Sequence, residues 1–203
     1  DTYVAQNSAK SGRKGGKGKG TGGWPAGMEG AAIRFIRLKY SGGDWDQDMG
    51  KGADYNLLLK FHEWTGMKIA KETEFREIER LKFFPKKKAP PFVFMTGMRG
   101  ITLSEKEVSA LRNYCLNEGG MLFIDNGGGH FDYAVRSMLR RVFPGRPLVD
   151  IPNDDLIYQQ PYAFPDGAPP FWHHAGYRAM GVRDESRWVV FYHPGDVNDA
   201  WKD

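Results

Sequence analysis

Cysteine is almost absent from this chain of 203 residues, where Cys115 is the only one. A single cysteine excludes an internal disulfide and a metal site built from several thiolates. Long apolar runs are absent as well: residues 92–95 and 121–124 are strand-sized, whereas a spanning helix needs roughly 20 apolar residues. With a mean hydropathy of −0.57, the sequence predicts a protein without a transmembrane span of its own.

Acidic residues are missing between Thr2 and Met28. The same stretch is rich in glycine, and it holds enough cations to account for the net charge of +4 and leave the remainder near neutral. A segment so poor in apolar side chains cannot bury enough surface to offset its ordering entropy. We therefore interpret residues 1–30 as an extended basic arm that takes a fixed shape only on another surface. Its cations are Lys10, Arg13, Lys14, Lys17 and Lys19.

A basic arm can meet an acidic protein surface, anionic lipid headgroups or nucleic acid phosphates. Nucleic acid is the least favoured of these partners, because aromatic residues are not interleaved with the cations and the remaining sequence adds no basic face. We expect the arm cations, with Trp24 at the end of the arm, to bind other protein subunits of a large complex, and lipid headgroups as a second contact.

The first residue is Asp1 rather than methionine. An export signal removed upstream would explain this, and so would a chain boundary chosen for other reasons. Together with the shortage of cysteine, it leads us to expect a periplasmic protein that is peripheral to the membrane.

Residues 31–203 alternate between strand and helix patterns. This order predicts a three-layer α/β sandwich whose central sheet is mostly parallel, with helices on both faces. The proline-rich residues 148–183 are predicted to run irregularly over the surface. The predicted strands are residues 33–40, 92–96, 121–125 and 187–192, with a further, more polar strand somewhere within residues 67–78. The predicted helices are residues 54–64, 104–118 and 131–142.

Several short motifs follow one another in a specific order. They read Phe35-x-Arg37-Leu38-x-Tyr40-x-x-Gly43-Asp44-Trp45, Thr96-Gly97, Leu103-Ser104-x-x-Glu107, Leu111-Arg112-x-Tyr114 and Gly119-Gly120-x-Leu122-x-x-Asp125, with Arg187 near the end. In this order, residues 31–203 resemble a bacterial domain family of unknown function, number 4159. The resemblance implies a flavodoxin-like fold similar to that of class I glutamine amidotransferases, and it implies no established activity.

Glutamine amidotransferase chemistry needs a cysteine in a tight turn after a central strand and a histidine to take its proton. The matching turn here, residues 96–100, contains no cysteine. Cys115 falls within a predicted helix on the same face as Leu111, so we interpret it as a small core residue. The sequence therefore predicts no catalytic residue, no cofactor and no metal site.

One edge of the predicted sheet could nevertheless bind a ligand. Ligands of open α/β sheets sit at the carboxyl ends of the strands, and a helix N-terminus favours anions. The alternative is a permissive turn with polar neighbours. The spacing Asp44-x-Asp46-x-Asp48 resembles a calcium loop but lacks the glycine and glutamate that such a loop requires. The candidate ligand-binding residues are Asp44, Asp125, Gly127, Gly128, Gly129 and His130.

Aromatic residues and prolines are concentrated in residues 161–172. Aromatic side chains on irregular backbone are typical of interface anchors, although a lid packed on its own domain has the same composition. Both interpretations can hold together. The candidate partner-binding residues in this loop are Tyr162, Phe164, Phe171 and Trp172.

Two functional hypotheses result. The first is a non-catalytic interaction subunit that docks onto a larger, membrane-associated bacterial complex through its arm and aromatic loops. An energy-converting assembly such as a photosynthetic reaction centre is one example of such a complex. The alternative is a small-ligand-binding protein or a hydrolase-like enzyme that uses the edge of the sheet between Asp125 and His130.

Overall fold

The computed structural model describes residues 33–49, 52–84, 90–160, 162–169 and 174–202. The strands are β1 (Ile36–Lys39), β2 (Glu74–Glu77), β3 (Phe92–Met95), β4 (Met121–Asp125), β5 (Val149–Asp150), β6 (Met180–Asp184) and β7 (Arg187–His193). The helices are α1 (Ala53–Thr65), α2 (Glu105–Leu116) and α3 (Phe131–Val142), joined by the 3₁₀ helices Ile78–Phe83, Leu156–Tyr158 and Asn198–Trp201.

Some predictions lie outside the described residues. They concern the arm cations Lys10, Arg13, Lys14, Lys17 and Lys19, together with Trp24, Phe171 and Trp172. The predicted arm, residues 1–30, lies outside as a whole. Those interpretations therefore stay predictions.

The seven strands form one sheet in the order β2-β1-β3-β4-β7-β6-β5. The first five of these are mutually parallel, and their order is that of a flavodoxin-like sheet. Two antiparallel pairings then extend the sheet, β6 with β7 and β5 with β6. The predicted α/β fold with a mostly parallel sheet is thus confirmed.

Local sequence signals set the ends of two helices. Ser104 and Glu107 form a reciprocal capping box at the start of α2, as their spacing predicts. At the carboxyl end of α1, Gly66 adopts φ 68°, a left-handed conformation that glycine accepts without strain. Both helices therefore begin or end close to where the sequence indicates.

Alternating side chains of β1 and of Phe35, the residue before it, separate the two sides of the sheet. Ile36 and Leu38 face the larger core cluster with residues of α2 and α3. Phe35 faces the other side, where it packs with Phe94 and with Leu58 of α1. Because both faces of the central strands are buried, these strands read as nearly continuous apolar runs.

The prediction for residues 148–183 is wrong in part, because β5 and most of β6 lie within it. The signal was weak because β5 has only two residues and β6 contains Gly181. That glycine is required: a Cβ there would collide with the Trp188 ring. A bulge in the β6–β7 pairing brings Trp188 and Phe191 to one side of the sheet, where they pack against a small core that includes Tyr158.

A buried ion pair joins β1 to α1. Arg37 is fully buried, and its Nε donates to Asp54 Oδ2 at 3.0 Å while its Nη2 donates to Asp54 Oδ1. The guanidinium also donates to the carbonyl oxygens of Trp45 at 3.1 Å and Gln47 at 2.6 Å, and to Asn198 Oδ1 at 3.3 Å. One side chain thus fixes the strand, the helix, the loop between them and the C-terminal 3₁₀ helix.

Replacing Asp54 by alanine would leave the Arg37 guanidinium buried without its counter-charge. We expect Asp54→Ala to lower the free energy of unfolding by about 3–5 kcal/mol, since removing one partner of a buried pair costs this much. Urea unfolding followed by circular dichroism measures it. The matched control is Glu63→Ala on the same helix, whose exposed pair with Lys60 contributes less than about 1 kcal/mol. Equal losses in the two variants would contradict the prediction.

Candidate functional site

Loops from four parallel strands meet at the carboxyl edge of the sheet. Gly127 N donates to Gly97 O at 3.1 Å, and His130 N donates to Met98 O at 3.0 Å, so the turns after β3 and β4 are fastened together. Asn126 Nδ2 donates to Pro194 O at 2.9 Å, which adds the loop after β7. The structure therefore brings the predicted residues of this edge into one connected region.

Asp125, the last residue of β4, is buried beneath this edge. Its Oδ2 accepts a hydrogen bond from Thr96 Oγ1 at 2.9 Å, and its Oδ1 accepts one from the Val197 N–H at 2.6 Å. Burial, with the nearby Asp196 carboxylate as a second cause, raises the pKa of Asp125 to about 8. Asp125 therefore tethers the C-terminal segment from inside the fold and is not open to a ligand.

The glycine turn after β4 serves loop packing. A Cβ at Gly127 would collide with Gln47 Oε1, and one at Gly129, where φ is 57°, would collide with Met98 O. The N–H groups of Gly127 and His130 are used in the contacts above, and Gly128 N donates to Asn126 Oδ1 at 3.1 Å. Because these N–H groups donate within the fold, the geometry favours the packed turn over an anion cradle.

Asp44 also has partners within the fold. Its Oδ1 accepts hydrogen bonds from the backbone N–H groups of Met98 at 2.9 Å and Arg99 at 3.2 Å. Asp48 instead pairs with Lys202 at 3.0 Å, so the two carboxylates do not converge on one point. Among the residues that the structure describes, no group of three or more His, Cys, Asp and Glu side chains could hold a metal ion.

His130 is exposed where α3 begins, whereas Asp125 is buried. A second pair at this edge was missed by the sequence analysis. The exposed His174 places Nε2 at 4.0 Å from Oδ2 of the buried Asp196, and the His174 ring lies against Gly128. No motif links these two residues; only the long return of the chain from β5 to β6 brings them together.

Cys115 lies on α2 with no exposed surface. Burial raises the pKa of its thiol to about 12, so the reactive thiolate is not formed near neutral pH. The interpretation of Cys115 as a core residue is confirmed.

Two aromatic rings meet at the carboxyl end of α1. Tyr162 donates its hydroxyl to the Trp64 carbonyl oxygen at 2.9 Å, and the two rings pack edge to face with centroids 6.3 Å apart. Both stay substantially exposed, Trp64 at 63 % and Tyr162 at 49 %. Phe164, on the same loop, is 41 % exposed. The loop is thus attached to its own domain and still presents aromatic surface. Its role as an interface anchor stays a prediction.

Comparison with known proteins identifies the family. Residues 34–203 match the family model described as Domain of unknown function (DUF4159). The chain belongs to this family. The DUF4159 match covers the whole described sheet, and the description assigns no activity to the family. A search of curated proteins found no significant match to the chain.

None of the helices that the structure describes in this DUF4159 domain combines the length and the apolar character that crossing a bilayer requires.

The raised pKa of Asp125 predicts a pH-dependent stability. An unfolded aspartic acid titrates near ~3.9, whereas the folded value is about 8. Between these pH values the folded protein holds a proton that the unfolded chain has lost, so stability falls as the pH rises. Asp125→Asn, which resembles the protonated acid, is expected to flatten the profile between pH 5 and 8 and to raise stability at pH 8 relative to the parent.

Urea midpoints measured across this pH range test the expectation. The control is Asp166→Asn on an exposed loop, which should keep the parent profile. An unchanged slope in Asp125→Asn would show that Asp125 does not carry the proton.

Proposed function

We propose that this DUF4159 protein is a non-catalytic interaction subunit that docks onto other proteins of a larger, membrane-associated assembly. The observation that carries the proposal is the aromatic pair of Trp64 and Tyr162, which the fold holds in place while leaving both rings exposed.

The geometry of the pair suits an interface anchor. Large aromatic side chains supply much of the binding energy of protein interfaces. Their ordering normally costs free energy on binding, and an anchor that is already fixed avoids much of this cost. The hydrogen bond from Tyr162 to the Trp64 carbonyl fixes one ring against the other before any partner arrives.

The turn after β3 supports a non-catalytic role. Two successive backbone N–H groups at such a turn are suited to stabilise an oxyanion in acyl transfer. In this chain both groups, from Met98 and Arg99, donate to Asp44 instead. A carboxylate of the protein thus takes the position that a reacting oxygen would need. The likeness to class I glutamine amidotransferases stays a prediction.

The basic arm provides a second contact in this proposal. Its cations attract acidic protein surfaces and anionic headgroups at long range, and the aromatic pair supplies the short-range contact. The periplasmic location and the identity of the complex, photosynthetic or other, stay predictions.

Alanine at Trp64 should weaken docking. We expect the dissociation constant for the purified partner complex to rise at least tenfold in Trp64→Ala, because truncating a central aromatic anchor typically costs about 2 kcal/mol or more. The partner is first isolated from the native host by size exclusion of detergent extracts, and binding is then measured by interferometry. The matched control is Tyr133→Ala on α3, which removes an aromatic side chain that is at least as exposed (74 %) elsewhere on the surface.

Deleting residues 1–30 separates the contribution of the arm. The deletion should weaken binding in a salt-dependent way while the unfolding midpoint stays that of the parent. A chain that elutes as a monomer from native extracts, or a Trp64→Ala variant that binds like Tyr133→Ala, would contradict the proposed function.

A second candidate function is hydrolase-like chemistry at the carboxyl edge of the sheet. The pair of His174 and Asp196 favours it. A carboxylate beside an exposed imidazole can orient it as a general base for water. The separation of 4.0 Å exceeds a direct hydrogen bond, although such contacts often tighten only with substrate bound.

His174→Ala tests this candidate. If the pair is catalytic, ester hydrolysis measured over a panel of nitrophenyl esters should fall by 10²-fold or more, while His62→Ala, an exposed histidine on α1, keeps the parent rate. A parent protein with no turnover on the panel, or equal rates in both variants, would exclude the pair as a general base for this reaction.

A further inference from the structure

A polar cleft of about 500 Å³ lies at the carboxyl ends of β1 and β2. Residues 39–41 line one part of it, the 3₁₀ helix Ile78–Phe83 lines another, and Glu107 of α2 closes it. Ligands of open α/β sheets sit outside the carboxyl ends of the strands, at the point where the strand order reverses. In this sheet the order reverses between β1 and β3, so the cleft lies beside that point and away from Asp125 and His130.

Cations and carboxylates both line the cleft, but they differ in how they are engaged. The Glu107 carboxylate accepts hydrogen bonds from Ser104 N at 2.8 Å and Ser104 Oγ at 3.0 Å in the capping box of α2. Glu79 lies 3.6 Å from Lys82 within the 3₁₀ helix. Two of the carboxylates therefore already have partners.

Arg80 and Lys39 have no such counter-charge: within the described part of the chain, no ion pair joins either of them to a carboxylate. Both cationic groups lie over aromatic rings, Arg80 at 5.5 Å from the Phe83 centroid and Lys39 at 5.9 Å from the Trp45 centroid. Glu77 is the cross-strand neighbour of Lys39 and balances part of that charge. The lining is formally neutral, with three cations against three carboxylates. Among the described residues, Arg80 is the lining cation that has neither an ion pair nor a cross-strand carboxylate neighbour, so it is the one available to an anionic group.

Phe83 adds an apolar surface next to this charge. Its ring is 53 % exposed and lines the cleft, with Lys82 lying 5.2 Å from its centroid. An apolar ring beside a guanidinium is suited to a ligand that carries a planar group next to an anionic one. The guanidinium can bind a phosphate or carboxylate with two parallel hydrogen bonds.

We infer that this cleft binds a small organic anion, with Arg80 holding its phosphate or carboxylate group and Phe83 contacting its planar part. The site is separate from the docking surface proposed above, since Trp64 lies at the far end of α1. Binding here therefore does not depend on the interaction function.

Titration of the full chain with phenyl phosphate, followed by amide chemical shifts, tests the inference. We expect saturable shifts confined to residues 39–41 and 79–83, and an affinity at least tenfold lower in Arg80→Ala. The matched control is Arg140→Ala, an exposed arginine of α3 outside the cleft, which should bind like the parent. Because Arg80 is exposed, unchanged urea midpoints should show that both variants fold.

Three further probes divide the claim. If benzoate binds as tightly as phenyl phosphate, the site accepts carboxylates and phosphates alike. If benzoate does not bind, the site is specific for phosphate. If phenol binds as tightly as phenyl phosphate, the proposed role of the Arg80 charge is overturned. If inorganic phosphate binds as tightly as phenyl phosphate, the proposed role of Phe83 is overturned. Equal affinities in Arg80→Ala and the parent, or shifts scattered over the surface, would overturn the site itself.

Discussion

The buried pair of Arg37 and Asp54 is the constraint on which the rest of this structure depends. A charge removed from water is tolerated only when its hydrogen bonds are satisfied, and the Arg37 guanidinium meets this condition with acceptors from α1, the loop after β1 and the C-terminal 3₁₀ helix. The loop between β1 and α1 is held against the sheet as a result. Asp44 and Gln47 belong to this loop, so the carboxyl edge owes its shape to an interaction beneath it.

That dependence explains why the edge is closed where the sequence suggested an opening. Asp44 caps the turn after β3, and Gln47 lies against Gly127. The glycines allow the loops to approach one another, which is the same property that would have let them approach a phosphate. Nothing in the sequence around residues 127–129 distinguishes these two uses. The side chain that fills the space beside Gly127 is Gln47, which belongs to a loop about 80 residues away.

Prediction from the sequence succeeded where the signal was local. The capping residues of α2, the stop at Gly66 and the apolar runs of β3 and β4 all depend on neighbours within a few positions. Prediction failed for β5 and β6, which are short strands that join the sheet through pairing with distant segments, β6 with β7 and β5 with β6. The contacts of His174 with Asp196 and of Tyr162 with Trp64 were also beyond it, since they join residues 22 and 98 positions apart.

The position of β7 has a consequence for assembly of the domain. It is the last strand along the chain, yet it lies between β4 and β6 in the sheet. Until it emerges from the ribosome, β4 keeps an open edge, and the short β5–β6 ribbon has nothing to join. Pairing of this kind brings together distant segments and slows folding. A nascent or truncated chain lacking residues 187–193 therefore exposes an apolar strand edge of the sort that recruits chaperones or aggregates.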